Sequence, residues 1–243
     1  PHRRTANPAG YGMSGLRFPP MMQGEACTEN PFATACLRAI TGCDAGLVCY
    51  SLSPPQIEAS IVLAPEIPLQ QSMSMLPLCG VSFESALVSL APPEVAVQLG
   101  WDGTLFLNGA KCGHFRVAAS SDDPGTIPNW LVIGLTLWLW PSRNPGKTPD
   151  HTTIFAECGG EVPPGQLIEA WARHVLNRIT HWEDEGPCRL RAEWLDLARG
   201  LDENASQNGL SGTFEGVDRS FSMLLREGLD THLIALTTIL KQP

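Results

Sequence analysis

Apolar positions in this chain recur at helical period in some stretches and at strand period in others, and the changes of period mark its elements. Asn30-Pro31 opens a helix and Gly42 closes it, because Pro suits the first helical position and Gly the residue past the last, so Pro31 to Thr41 is predicted helical. Leu47 to Leu52 and Ser60 to Leu63 are β-forming runs, separated by Ser53-Pro54-Pro55-Gln56-Ile57-Glu58-Ala59. From Leu69 to Leu90 the residues Met73, Leu76, Val81, Ala86, Leu87 and Leu90 fall near helical period, with a kink expected at Pro77 and an end at Pro92-Pro93. Further strands are expected at Val95 to Leu99, Thr104 to Leu107, Phe115 to Ala119 and Leu131 to Leu139, the last preceded by a turn at Asp122-Asp123-Pro124-Gly125. Leu131 to Leu139 is apolar at odd and even positions alike, which places it in the middle of a sheet covered on both faces.

Pro141 to Pro164 is rich in Pro, Gly and polar residues and is expected as a long excursion. Two amphipathic helices follow. Gln166 to Trp182 aligns Ile168, Trp171, Val175, Ile179 and Trp182 on one stripe, with Arg173 and His174 on the wetter side, and Pro187 to Arg199 aligns Leu190, Trp194 and Leu197. The three tryptophans on these stripes are expected as core anchors. Asp202 to Gly212 reads as a polar linker before three short strands at Thr213 to Val217, Phe221 to Leu225 and Leu233 to Ile239. This order of elements is that of an α+β protein.

The stretch Trp101 to Phe115, WDGTLFLNGAKCGHF, carries the sharpest local signal. Asn108-Gly109 between β-formers predicts a tight hairpin, since both central residues of that turn need positive φ. Lys111 is thereby fixed just past the turn, beside Cys112-Gly113, as a candidate clamp for an anionic ligand.

Composition narrows the classes. With 243 residues, 43% of them hydrophobic, the chain can bury a full core, and the basic start, residues 1–15, is expected as a flexible leader. A net charge of -9 opposes sequence-blind binding to nucleic acid or anionic membrane, and the longest apolar run, Trp130 to Trp140, is too short to span a bilayer. The eight cysteines form no CxxC pair and have no histidine at zinc-ligand spacing, so no metal is expected. They read as reduced, buried thiols of a cytoplasmic protein.

Trp101, the Asn-Gly turn and Lys111 resemble the "Lys-Trp-Pro-Asn-Asp, strand, Asn-Gly-x-Lys" segment of the biotin and lipoate protein ligase family, with Lys111 at the acyl-adenylate-binding lysine. Leu131 to Leu137 is similar to that family's "Ile-Gly-Ile-Gly-Ile-Asn" strand, and Thr213 to Leu225 resembles the start of its SH3-like C-terminal domain. The resemblance implies a mixed sheet flanked by helices, like that of biotin ligases and class II aminoacyl-tRNA synthetases, over residues 16–201, and a truncated SH3-like β domain over 202–243. It also implies ligand-facing positions at Trp101, Asn108, Lys111 and Gly113, and at Gly134 farther along. Where the family has a glycine three residues after its lysine this chain has His114, and where it has the asparagine of the glycine-rich strand it has Trp138, so these two bulky side chains are also expected at the ligand.

The departures bear on chemistry. The ligases of the family that this chain resembles form an acyl-adenylate from ATP with a Gly-Arg-Gly-Arg-Arg-Gly loop, whose amides and guanidiniums neutralise phosphates. Here the loop is Ser53-Pro54-Pro55-Gln56-Ile57-Glu58, without glycine or arginine, so ATP is not expected to bind tightly. The reading is a protein that binds a biotin-, lipoate-, octanoyl- or other acyl-type carboxylate, or a partner such as an acyl-carrier or biotin-acceptor protein, without ATP-dependent ligation. The alternatives are an active biotin/lipoate-protein ligase with a rebuilt nucleotide site, a structural or partner-binding module, and an octanoyl-type acyltransferase. The last would use Cys158, in Ala156-Glu157-Cys158-Gly159-Gly160, as a thiolate nucleophile beside Lys111.

Overall fold

The computed structural model describes residues 15–140, 150–160 and 162–240. Most of the leader and the first part of the Pro141 to Pro164 excursion lie outside the described residues. A short strand, β1 (Gln23–Ala26), comes first. Helix α1 (Pro31–Thr41) follows, with the Asn30 side chain accepting from the Phe32 and Ala33 amides and Gly42 closing it in the left-handed conformation. Then come β2 (Leu47–Ser51), β3 (Gln56–Leu63), α2 (Leu69–Ser72), α3 (Met75–Val88), β4 (Val97–Leu99), β5 (Thr104–Leu107), β6 (Ala110–Ala119) and β7 (Leu131–Trp138). Three helices close the body: α4 (Ile154–Cys158), α5 (Pro164–Glu185) and α6 (Pro187–Leu197). The C-terminal unit consists of β8 (Asn204–Gln207), β9 (Leu210–Val217), β10 (Met223–Glu227) and β11 (Asp230–Ile234), with a 3-10 turn at Leu236–Ile239.

The seven strands of the body form one sheet in the order β1-β2-β3-β7-β6-β5-β4, antiparallel except for the β1–β2 pair. Strand β7 is the middle strand, as its uninterrupted apolar run requires, and every residue from Leu131 to Leu137 is buried. Helix α1 covers one face at a small cluster of Phe32, Ala35, Cys36, Cys49, Val62, Ala118 and Val132. The main core lies on the other face, under α3, α5 and α6. Its anchor is Trp171, fully buried against the Phe115 ring at 6.3 Å, with its indole N–H donating to the Cys79 carbonyl at 3.0 Å.

Several boundaries differ from the sequence reading, each for a local reason. Strand β3 begins at Gln56, not Ser60, so Ser53 to Ala59 is mostly strand and the connection from β2 shrinks to residues 52–55. The helical stretch breaks at Met73-Ser74 and not at Pro77, which sits in the first turn of α3, where a missing N–H costs no intrahelical bond. Strand β6 starts at Ala110 because the hairpin places Leu107 opposite Ala110 directly. The excursion contains α4, capped by the Thr153 hydroxyl. The supposed linker Asp202 to Gly212 is mostly hairpin: Asn208-Gly209, with φ of 52° and 79°, joins β8 to β9, and the C-terminal sheet has four strands, not three. The run Leu233 to Ile239 ends a strand that begins at Asp230 and then turns into the 3-10 segment. Trp182 is only partly buried, unlike Trp171 and Trp194.

The C-terminal sheet is docked on the body. Trp101, 6% exposed, donates its indole N–H to the Phe221 carbonyl at 2.8 Å, and the Arg191 Nε–H donates to the Val217 carbonyl at 2.6 Å. Trp194 meets Phe221 edge to face at 6.1 Å.

Candidate functional site

Because side chains alternate along strands, register decides which of them meet. Glu58, Thr136 and His114 form one row across β3, β7 and β6; Ser60, Gly134 and Arg116 form the next; Gln56 and Trp138 form a row nearer the sheet end. All lie on the α1 side. Helix α1 covers the Gly134 row, and a Cβ on Gly134 would lie 2.5 Å from the Phe32 ring. Phe32 therefore occupies the room that the glycine leaves.

Arg116 lies over that ring, its guanidinium carbon 4.6 Å from the centroid, and Nη2 is 3.7 Å from Glu58 Oε1. That separation is an ion pair without a hydrogen bond. The Thr136 hydroxyl donates to the same carboxylate oxygen at 3.3 Å, while Arg116 Nε is buried without a partner among the described residues. The guanidinium also opposes the rise of the neighbouring Cys36 thiol, which burial pushes up to about 11.

At the open end the Lys111 amide donates to the Asp150 carbonyl at 2.8 Å and the Thr152 amide to the Lys111 carbonyl at 2.7 Å, so His151 pairs beside Lys111 as in a parallel ladder. Paired residues project to the same side, and the His151 ring packs on Trp138 at 4.9 Å, so Lys111, His151 and Trp138 share one end of the patch. Lys111 is exposed, and its ammonium makes no salt bridge among the described residues. His114 is half-buried between this end and Arg116.

The structure places the remaining sequence candidates elsewhere. Trp101 faces the C-terminal sheet. Asn108 adopts the turn conformation with φ of 48°, accepts the Ala96 amide at 2.9 Å and donates to Glu157 Oε2 at 2.6 Å. Gly113 is required by a close approach, since its Cβ would stand 2.2 Å from the Thr136 carbonyl oxygen. Cys158 closes α4 and is 1% exposed in the helix-side core, which also holds Cys112. Burial first, then the neighbouring Cys158 and Glu157, push the Cys112 thiol up. The Glu157 carboxylate is taken by Asn108 and by the Thr152 hydroxyl. Sequence reasoning missed Arg116, Glu58, Phe32 and His151. The available signal is Arg116 itself, the one charge within the run CGHFRVAA.

The eight thiols are not all buried. Cys188 is exposed, Cys27 and Cys43 are half-buried, and the other five are buried. Burial holds the thiols of Cys79 and Cys112 far above the ordinary range and that of Cys49 at about 12. A short iodoacetamide pulse at pH 7.5 is therefore expected to modify Cys188 and to spare Cys158, read by peptide mass mapping. A rapidly alkylated Cys158 would restore the acyltransferase reading.

Where the phosphate loop is expected, residues 52–55 form a tight connection whose geometry opposes an anion. The Pro55 carbonyl points inward and accepts both the Leu139 amide at 2.9 Å and the Trp140 amide at 3.2 Å. Pro54 and Pro55 supply no N–H, and Glu58 adds a carboxylate one row away. Among the described residues no group of three or more His, Cys, Asp or Glu could hold a metal ion, and no helix is long and apolar enough to cross a membrane.

Comparison with known proteins agrees with this architecture. A biotin protein ligase-like protein of unknown function from Silicibacter sp. tm1040 is 51% identical, with a TM-score of 0.90 over 94% of this chain and 100% of that one. The biotin protein ligase from Aquifex aeolicus superposes with a TM-score of 0.73 at 13% identity, over 88% of this chain and 97% of that one, a likeness of fold alone. The bifunctional ligase/repressor BirA of Bacillus subtilis is 22% identical over 162 residues, 65% of this chain and 48% of its own length. The chain thus spans about half the length of the curated relatives it matches. Residues 201–242 match a domain of unknown function, DUF4444. Residues 18–196 match the biotin/lipoate A/B protein ligase family, and the chain belongs to that family.

Proposed function

We propose that the chain binds a biotin-, lipoate- or acyl-type carboxylic acid on the α1-side patch and does not activate it with ATP. The observation that carries this reading is the connection at residues 52–55, where two prolines and an occupied carbonyl stand in place of amides and guanidiniums. Losing several phosphate-stabilising contacts, each of about 3 kcal/mol, would remove most of the advantage an adenylating enzyme needs. Acid binding has support at the open end of the patch. Lys111 presents an exposed ammonium, and Trp138 and His151 form an aromatic wall beside it. Farther along the same strand, past the irregularity at Cys112, Arg116 is already committed to Glu58 and Phe32, so the carboxylate falls to Lys111. The apolar body of the acid then lies along Trp138 toward Thr136, because Phe32 fills the room over Gly134.

Calorimetry with biotin, lipoate and octanoate, each with and without ATP, tests the reading. One acid is expected to bind alone and ATP no tighter than about 1 mM, near 4 kcal/mol. Lys111→Ala should weaken the acid about tenfold while changing unfolding stability by less than about 0.5 kcal/mol, as for an ordinary surface substitution. Micromolar ATP affinity would instead support a rebuilt ligase, and unchanged acid affinity in the variant would remove Lys111 from the site.

A further inference from the structure

Four of the eight cysteines gather under α1: Cys36 and Cys49 belong to the small cluster there, and Cys27 and Cys43 pack against it. Strand register decides which of them can react together. Strands β1 and β2 run parallel with Glu25 opposite Cys49, and Cys27 continues that ladder, its amide donating to the Tyr50 carbonyl at 2.7 Å. Side chains two apart on a strand share a face, so Cys27 lies on the same side as Glu25 and Cys49. The Cys27 sulfur turns back to the Glu25 carbonyl at 3.5 Å, toward the residue that stands opposite Cys49. The Cys27 and Cys49 thiols are in hydrogen-bonding contact, whereas Cys43 acts on Cys49 only through space.

Access divides the labour between them. Cys49 has no exposed surface, whereas Cys27 is half-buried at the end of β1 and is followed by exposed Thr28, Glu29 and Asn30. An oxidant from solvent meets Cys27, and Cys49 has only to reach its neighbour. Arg38, held by Glu25 at 2.7 Å, lies within electrostatic range of both sulfurs, and a nearby cation favours the reactive thiolate. We infer that Cys27 and Cys49 are a reversible oxidation site for hydrogen peroxide, with Cys27 the attacking thiol and Cys49 the resolving one. The Cys27 thiolate attacks one peroxide oxygen, the O–O bond breaks, and the hydroxide released takes up the Cys27 proton as water, leaving a sulfenic acid. The Cys49 thiolate then attacks the Cys27 sulfur and expels the second hydroxide, which takes up the Cys49 proton. In sum two thiols and one peroxide give one disulfide and two waters, the thiols losing the two electrons that the peroxide gains. Burial, then the neighbouring Cys27 and Glu25, hold the Cys49 thiol up at about 12. A neutral sulfenic acid at Cys27 removes that residue's share of the opposition, so the resolving thiolate becomes easier to form once it is needed. The S–S bond closes to about 2.0 Å, and the turn at residues 28–30, which pairs with no strand, supplies the movement.

Peptide mass mapping tests this on the chain carrying Cys188→Ser, a change that removes the exposed thiol able to link two copies. The protein is treated with hydrogen peroxide, quenched with catalase, blocked with N-ethylmaleimide, digested and fragmented to assign each cysteine. Cys27 and Cys49 should appear as one cross-linked pair lacking two hydrogens, and dithiothreitol should abolish it. With dimedone present during oxidation, the adduct should sit on Cys27. Cys27→Ser, at the half-buried position, should remove the link and leave Cys49 reduced. Cys49→Ala should remove the link and let Cys27 go on to sulfinic acid. A Cys27–Cys43 link, or sulfinic acid at Cys27 while Cys49 is present and reduced, would overturn the pairing. A dimedone adduct on Cys49 would overturn the division of roles. Thiols left unchanged by peroxide that oxidises free glutathione in the same tube would overturn the site altogether.

Discussion

Gly113→Ala is expected to cost the chain about 3 kcal/mol of stability or more and to lower its melting temperature by about 6 to 12 °C. The added Cβ would stand 2.2 Å from the Thr136 carbonyl oxygen and 3.1 Å from the Leu137 Cα, both backbone atoms of the middle strand. That strand cannot retreat, because β3 holds its other edge through eight paired residues. Nor can β6 bow away freely, since its pairing with β5 already takes an irregularity between Leu105 and Phe106, where Cys112 is the extra residue. Gly125→Ala, in an exposed turn where the new methyl meets only Asp123 Oδ1 at 3.6 Å, serves as the control and should change stability by less than about 0.5 kcal/mol. Scanning calorimetry of the two variants decides the matter. Equal melting temperatures would mean that Gly113 is not required by strand approach and would leave a ligand as its reason.

The contrast shows where a sequence is legible. The Asn30 cap, the Gly42 stop and the Asn108-Gly109 turn are conditions on single residues, and the structure shows all three at the residues that carry them. The same turn chemistry stands at Asn208-Gly209, yet the polarity of its flanks suggested a linker. Turn geometry needs the positive φ of those two residues and makes no demand on hydrophobic neighbours. What stayed hidden depends on register. Glu58, Thr136, His114 and Arg116 come from three strands spread over nearly 80 positions, and their rows exist only once β7 lies between β3 and β6. Trp101 illustrates the converse. Its place in a family-like motif suggested a ligand contact, whereas its indole bonds to Phe221, 120 residues away, across a domain contact that no local pattern announces.

Phe32→Ala is expected to remove about 3 kcal/mol, toward the lower end for a buried Phe because the ring is 7% exposed and belongs to the smaller core cluster. The stacking of Arg116 on the ring adds about 0.5 to 1 kcal/mol to what is lost. The informative measurement is a double-mutant cycle with Gly134. In the native chain Gly134→Ala drives a methyl to 2.5 Å from the Phe32 ring and 3.1 Å from the Ser60 hydroxyl, so it should cost about 2 kcal/mol. With Phe32 already replaced by Ala, the same methyl enters vacated space. The two losses should then fall short of additivity by more than about 1 kcal/mol, the coupling that contacting residues show. Because the space over Gly134 is reserved for Phe32, the single Phe32→Ala variant should also admit a bulkier acid: 3-phenylpropionate is expected to bind it more tightly than the native chain, while octanoate changes little. Additive losses together with unchanged phenylpropionate affinity would show that Phe32 does not fill the place over the middle strand, and that the patch extends inward past Arg116.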